Sequence, residues 1–590
     1  MNKKRNPLIN LFIYSWKYSS RKGLFITFVV FCVIANSFQL LEPIVISRIF
    51  NSVQFSANDP GLFSFIAQNL ILLVFITFGF WLFHGTSRLM EYKNAFLIRK
   101  NYKKEMFDKV IDLPVEWQKD HHSGDTIDRI NKASHSLYQF SSHIFEIVQN
   151  LIRLFGSIII LSIFDWRIAL AAVFVSVFAI WTSLKFDNKL KIGYRKVFKA
   201  ENYLASAIHD YISNVITVIT LRLKKRVSGE IESRSMLAFN TFNKNRKIDE
   251  FRWFIISMYT SIAISAALIF SAYTSHKARG VIAIGTLFIL YRYLKNMGGF
   301  FSNFAWKYGE IVRQDTAVKM AEYINVEQKN VTLETKKYYL PKKWRTLQVK
   351  NLYFSYKKVD KKESVYNLSN ISLTISQKLK IALIGESGSG KSTILSLVRG
   401  LHHPGRNNVY CDGKKLEYGL RHLNEITSLI PQDPEIFNSS VKDNITMGTR
   451  VSTADINKVL EIARFDKVVS RFKKGLRTNV LEKGVSLSGG EKQRLALARG
   501  LLMAKNYNIL LLDEPTSSVD SANEIKIYQN IFKYYEDKTI LSAIHRLHLL
   551  RYFDYIYYFD KGKIITEGTF NMLLRDDKFK ILWDNYTKNR

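Results

Sequence analysis

Long apolar stretches recur in the first half of this 590-residue chain and are missing from the second, and no other feature constrains the fold as strongly. A helix needs about 20 apolar residues to cross roughly 30 Å of hydrocarbon at about 1.5 Å per residue. Such stretches lie near Leu24–Ile46, Leu62–Phe83, Phe145–Phe164, Ile168–Leu184, Trp253–Tyr273 and Val281–Ala305, with none after residue 310. They predict six membrane-spanning helices. The whole-chain hydrophobic share of 47% conceals this division by averaging an apolar half with a polar one.

The chain has 86 Lys and Arg against 50 Asp and Glu, a formal net charge of +36. That excess raises nucleic-acid binding, because cations that neutralise phosphates supply most non-specific affinity. Placement argues for a membrane instead. Lys3, Lys4, Arg5, Lys17, Arg21 and Lys22 precede the first span with no acid among them, and the long segments Arg88–Arg129 and Lys185–Arg252 are rich in Lys and Arg. Asn51–Gly61 has no cation. The positive-inside bias therefore puts the N-terminus and both long segments in the cytoplasm, and no nucleic-acid partner is expected. The connection holding Lys277 and Arg279 falls outside on this count although it is basic. A bacterial-type inner (plasma) membrane is the expected location. No small-residue cleavage site follows the first span, so it is not read as a signal peptide. Cys32 and Cys411 are the only cysteines, which leaves no disulfide framework and no thiolate cluster.

Helices extending from the membrane account for the two long cytoplasmic segments. In the first, Leu113-Pro114 and Gly124-Asp125 bracket Val115–Asp120, which predicts a short transverse helix; a similar break is expected near Tyr211–Thr220. The chain turns polar from about Asn325 to Pro341. This suggests an all-α transmembrane domain over 1–324, a linker over 325–344 and a second domain over 345–590. In that second domain short apolar strands alternate with helical segments, the pattern of an α/β fold with a largely parallel sheet.

The strand Ile381–Ile384 runs into Gly385-Glu-Ser387-Gly388-Ser389-Gly390-Lys391-Ser392-Thr393 and a helical segment. This is the phosphate-binding pattern G-x-x-x-x-G-K-[ST] in its strand–loop–helix context. Glycines let backbone N–H groups and a helix N-terminus surround phosphates, Lys391 supplies a cation and Ser392 offers a hydroxyl to Mg²⁺. A second strand, Ile509–Leu512, ends in Asp513-Glu514, where an Asp can hold Mg²⁺ through water and a Glu can polarise the attacking water. Between them, Ser488-Gly489-Gly490-Glu491 opens another helix and makes a second candidate anion site.

This last motif, placed between the other two, resembles the signature of ATP-binding cassette (ABC) proteins. The likeness extends over nearly the whole chain, which resembles an exporter-type half-transporter: six transmembrane helices, domain-swapped, fused to one P-loop ATPase domain. The resemblance implies that two cassettes sandwich two ATP molecules, each held by one phosphate loop and the partner's signature. It implies that Tyr356 stacks on adenine, Gln432 reaches Mg²⁺ and the attacking water, and Glu514 is the general base. It further implies that Asp520 lies in the loop crossing the interface and that His545 senses the γ-phosphate. Thr478-Asn-Val-Leu-Glu482-Lys-Gly484 resembles the segment by which exporter cassettes contact cytoplasmic loops. The signature departs from the commoner form by Glu491 in place of Gln. Because no group needed for hydrolysis is missing, a homodimer is expected, with a heterodimer, an ATP-gated conduit and an importer on the same fold as alternatives.

For the cargo, Arg292 and Lys295 are the best clue: three residues apart, they share a face of the sixth span. Unpaired cations at membrane depth are costly, so they should face water, an acid such as Glu146, or an anionic ligand. A negatively charged peptide or lipid is the cargo this suggests.

Overall fold

The computed structural model describes residues 6–121, 123–332, 338–341, 343–356, 367–404, 406–480 and 487–588. The chain separates into two compact units, Met1–Asp112 with His121–Gln328, and Leu113–Asp120 with Lys329–Arg590.

The first half is helical: α1 (Pro7–Tyr18), α2 (Lys22–Phe55), α3 (Leu62–Ile111), α4 (Val115–Asp120), α5 (Ser123–Ser141), α6 (Ile144–Phe164), α7 (Trp166–Ser213), α8 (Val215–Thr220), α9 (Lys224–Met236), α10 (Phe239–Arg279) and α11 (Ile284–Thr332). Helix α4 and the end of α11, from Lys329, belong to the second unit. The six expected spans fall in α2, α3, α6, α7, α10 and α11. The stretches Lys22–Phe55, Leu62–Ile111, Ser123–Phe164 and Lys224–Ala278 are long and apolar enough to cross a membrane, and Trp166–Thr182 is a shorter apolar one. The sixth span starts at Ile284 rather than Val281, because Gly280, at φ +70°, ends α10 in the left-handed region. Side chains of α2 then cap α11: the Ile284 N–H donates to Gln54 Oε1 at 2.9 Å and the Gly285 N–H to Asn51 Oδ1 at 2.9 Å.

Inside this unit α2 packs on α3 and α6, α3 on α5, α6 on α7, and α7 on α10. Small residues set the closest approaches. A Cβ on Gly156 would lie 2.3 Å from Leu40 Cδ1, and one on Gly285 2.2 Å from the Ser47 carbonyl oxygen. At the break between α5 and α6, buried Glu91 accepts from the Phe145 N–H at 2.7 Å while Arg88 donates to Glu91 and to the Ser142 carbonyl. Helix α11 runs past the expected boundary near 324 to Thr332; Val318, Ala321 and Ile324, all fully buried, carry its apolar stripe as far as residue 324. The break expected near Tyr211–Thr220 is the short helix α8, none of whose residues is buried.

The second unit holds two sheets. Strands β1 (Thr346–Phe354), β2 (Leu368–Ser376), β4 (Arg406–Cys411) and β5 (Lys414–Leu416) form an antiparallel sheet in the order β2-β1-β4-β5. Strands β3 (Lys380–Ile384), β6 (Thr427–Ile430), β7 (Ile509–Asp513), β8 (Thr539–Ala543), β9 (Tyr555–Asp560) and β10 (Lys563–Gly568) form the second, in the order β10-β9-β3-β8-β7-β6. All its pairs are parallel except β9 with β10. Every residue of β3, β7 and β8 is buried, as expected of parallel strands covered on both faces. The helices are α12 (Lys391–Arg399), α13 (Val441–Thr446), α14 (Thr453–Ile462), α15 (Asp466–Ser470), α16 (Gly489–Ala504), α17 (Ser521–Tyr534), α18 (Phe570–Leu573) and α19 (Asp577–Lys588). Since β3, β8, β7 and β6 are consecutive parallel neighbours, the loops leaving their carboxyl ends share one edge of the sheet, where ligands of such sheets bind.

Candidate nucleotide site

The loop leaving β3 is shaped by glycines that no other residue could replace. Gly385 has φ +144° and a Cβ there would lie 2.1 Å from the Phe559 carbonyl oxygen; Gly390 has φ +107° and its Cβ would lie 2.4 Å from Leu368 Cδ2. Between them Ser387 and Gly388 are exposed at the crest, while the buried Ser389 hydroxyl has no hydrogen-bond partner among the described residues. Gly390 is the N-cap of α12, so the N–H groups of Lys391, Ser392 and Thr393 open that helix toward the loop. Lys391 Nζ donates to the carbonyls of Gly385 at 2.8 Å and Glu386 at 2.9 Å. Burial pushes its pKa down, against the pull of Glu514 and Asp513. Ser392 Oγ donates to Asp513 Oδ1 at 2.8 Å, which bridges the phosphate loop to the end of β7. Burial pushes the Asp513 carboxyl up, and the Ser392 hydrogen bond opposes it.

Glu514 follows in the left-handed region at φ +46°, a conformation unusual for a side chain of its size. Its Oε2 accepts from Gln432 Nε2 at 3.0 Å, so the residue beyond β6 joins the cluster. Tyr356 stands at the rim, 51% exposed, its hydroxyl sharing a hydrogen bond with Thr393 Oγ1 at 3.1 Å. A loop of N–H groups, a buried cation, an unpartnered hydroxyl and two carboxylates beside a hydroxyl fit a nucleoside triphosphate with a divalent cation.

The signature motif is organised separately. Ser488 caps α16 in a reciprocal capping box with Glu491, whose carboxylate accepts from the Ser488 N–H at 2.9 Å. Glu491 also pairs with Arg471, an interaction that Gln in this position would lack. A Cβ on Gly490 would lie 2.7 Å from the Ser518 carbonyl oxygen, so the glycine lets α16 press against the loop before α17. Asp520 caps α17, accepting from the Asn523 N–H at 3.0 Å and from Asn523 Nδ2 at 2.7 Å; these bonds hold its carboxyl below the usual range.

Two residues link these pieces that the sequence did not single out for the purpose. Gln493, buried, donates to Ser517 Oγ at 2.7 Å and to the Gln432 carbonyl at 3.4 Å, and accepts from the Ser518 N–H at 2.7 Å. Its sequence signal is a polar side chain on the apolar stripe of Leu497, Leu501 and Ala504. Arg546, beside exposed His545, donates to the carbonyls of Val519 at 2.7 Å and Ser517 at 3.3 Å. Thus Ser392 pairs with Asp513, Gln432 with Glu514 and Tyr356 with Thr393, and Lys391 is held by the Gly385 and Glu386 carbonyls, while Ser488, Gly489, Asp520 and His545 are exposed. Glu482 and Gly484 lie outside the described residues.

In the first unit Arg292 and Lys295 are both exposed on α11. Lys295 Nζ donates to the Tyr291 hydroxyl at 3.3 Å. Glu146, the acid expected as an alternative partner, is instead held by Lys307 at 2.6 Å, and among the described residues neither Arg292 nor Lys295 makes an ion pair.

A phosphate loop joined to two strand-end carboxylates, in a chain with several membrane-long apolar helices, defines a nucleotide-hydrolysing cassette carried by a membrane protein. The description "ABC transporter" matches residues 368–517 and "ABC transporter transmembrane region" matches residues 25–297. The chain belongs to the ATP-binding cassette transporters as an exporter-type half-transporter, a multi-pass membrane protein that couples ATP hydrolysis to transport. It is 27% identical over 483 residues to a multidrug resistance ABC transporter ATP-binding and permease protein of Lactococcus lactis, covering 80% of this chain and 79% of that one. The match to ABC transporter B family member 21 of Arabidopsis thaliana is 38% over 232 residues, 39% of this chain but only 18% of that protein. An ATP-dependent lipid A-core flippase of Photobacterium profundum is 37% identical over 234 residues, 39% of each chain. The fold matches that of a bacterial Atm1-family ABC exporter solved with ATP bound, at a TM-score of 0.79 and 20% identity over 95% of this chain and 99% of that one.

Proposed function

We propose that the chain acts as a homodimer in a bacterial-type inner membrane, with its N-terminus and cassette in the cytoplasm, exporting an amphipathic, anionic peptide or lipid by alternating access. The observation that carries this reading is the pairing of one complete hydrolytic group, Lys391 to Glu514, with an exposed signature that this group does not use. A second copy would supply the missing signature. The exposed apolar side chains Ile216 and Ile219 of α8 also favour a covering partner. The proposed domain limits are 1–324 and 345–590, with 325–344 between them.

In this reading Tyr356 stacks on adenine, and the loop N–H groups from Gly385 to Thr393 with Lys391 hold the phosphates. Ser392, Asp513 and Gln432 would hold Mg²⁺, which supplies charge neutralisation on the phosphate oxygens. Glu514 takes a proton from the attacking water, Gln432 orients that carboxylate, and His545 meets the γ-phosphate. Ser488, Gly489, Gly490 and Asp520 close over the partner's nucleotide. Closure shifts the cavity outward because ATP binds the closed pair more tightly than the open one, and hydrolysis removes that preference. Arg292 and Lys295, exposed and without an acid partner, favour an anionic cargo.

The test is ATPase activity in lipid nanodiscs across anionic lipids, peptides and neutral hydrophobic drugs. Stimulation by one anionic class, lost when Arg292 and Lys295 are both reversed to Glu, supports the cargo reading. Stimulation by neutral drugs alone overturns it. A flat response that a second chain restores moves the assignment to a heterodimer.

A further inference from the structure

Within the second unit, one histidine touches both the nucleotide rim and the short helix α4. His402 is 4% exposed, and its ring meets the Tyr356 ring edge to face at 5.2 Å and 89°, and lies tilted on Phe354 at 5.7 Å. Its Nδ1 is hydrogen-bonded to the Glu116 carboxylate of α4. A carboxylate only accepts, so Nδ1 carries the proton and donates. On the nucleotide side, Tyr356 is tied to the phosphate loop by its bond to Thr393.

His402 is also held rigidly from the chain side. It follows α12, a nine-residue helix of about 14 Å that starts at the phosphate loop. That helix ends in Gly400 at φ +82°, where the Leu401 N–H donates back to the Ser396 carbonyl at 2.9 Å. A Cβ on Gly400 would lie 2.2 Å from Asn424 Oδ1, so the turn has little freedom to swing. On the other side α4 offers Glu116 in its first turn, with Leu113 and Trp117 buried beside it.

We infer that His402 is a positioning residue that ties the seating of α4 to the Tyr356 ring, so that a nucleobase stacked on Tyr356 steadies α4 through Glu116. This rests on the reading of Tyr356 as the base platform. A base on that ring restricts its plane, and the edge-to-face contact passes the restriction to the imidazole. Phosphates alone reach the ring only at its hydroxyl, through Thr393, and leave its face uncovered, so this link stays unset.

The experiment follows backbone hydrogen exchange in the segment Leu113–Asp120 of the full-length protein in nanodiscs, with a non-hydrolysable ATP analogue or with inorganic tripolyphosphate. In the wild type the analogue should slow exchange roughly two- to tenfold and tripolyphosphate should not. In His402→Ala and in Glu116→Ala, which removes the acceptor, the slowing should vanish while the analogue still saturates the protein. Slowing retained in both variants overturns the inference, as does equal slowing by tripolyphosphate. Should His402→Ala unfold the cassette, Glu116→Ala decides alone, because the Glu116 side chain is 48% exposed. Tyr356→Ala separates the two readings: unchanged affinity for the analogue removes the base platform itself, whereas lowered affinity with α4 slowed at saturation removes only the coupling.

Discussion

The two halves of this chain use apolar residues in opposite ways. In the cassette they lie inside: all of β3, β7 and β8 is buried, and the parallel sheet gives alternate residues to two cores, one of them shared with the antiparallel sheet. In the helical unit many of the largest apolar side chains face outward, Phe63 at 83% and Ile163 at 76% exposure among them, because lipid is as apolar as a protein interior. The difference teaches where single side chains carry weight. A cassette built on buried strands can hold a hydrolytic group to a fraction of an ångström. Helices in lipid are fixed by small-residue contacts and a few polar clamps such as Glu91 with Phe145.

The comparison can be broken most sharply at Glu514. Glu514→Gln should retain ATP binding and lower steady-state hydrolysis by on the order of 10²- to 10⁴-fold, as expected for loss of a general base; wild-type turnover would discard that role. The next effect concerns stability. Leu511→Ala, in the buried centre of β7, should cost about 2–5 kcal/mol of cassette stability in denaturant unfolding, whereas Ile163→Ala, outward on α6, should cost well under that in nanodiscs. Equal costs would erase the distinction between the halves.

A smaller effect is pH dependence. Burial holds Asp513 protonated to higher pH than in an unfolded chain, where a carboxyl titrates at about 3.9. Unfolding of the nucleotide-free protein therefore releases a proton between that value and the raised one, so the contribution is full below the window and is lost as pH rises through it. Asp513→Asn should flatten the fall in a thermal-unfolding series; an unchanged slope would assign it to other groups. The smallest effect belongs to Glu491→Gln. The capping box survives with Gln and only the exposed pair with Arg471 is lost, so stability should change by less than about 1 kcal/mol.

Much of this was legible because it is local. Apolar length marks spans whatever they pack against, which is why the expected stretches fall in α2, α3, α6, α7, α10 and α11. The limits of helices were less legible. Val281 to Ala283 are as apolar as the span that follows, yet Gly280 and the caps from Asn51 and Gln54 start α11 later, and the latter two are over 200 residues away in sequence. At its other end α11 continues to Thr332 although the chain turns polar from about Asn325.

The sequence by itself determined the local chemistry: a glycine loop that only glycine can trace, a cation and hydroxyl at a helix start, acids at a strand end, and apolar runs of membrane length. These depend on neighbours within a few residues, where spacing and geometry are nearly the same thing. The tertiary structure alone decided which distant pieces meet. Sheet order places the loops after β3, β8, β7 and β6 side by side, although residues 385, 545, 513 and 432 do not follow that order along the chain. It also buried Gln493 between two loops and set His402 against Tyr356 and Glu116. Such contacts arise from strand pairing and packing between residues 24 to 286 positions apart, and nothing in local spacing encodes their partners.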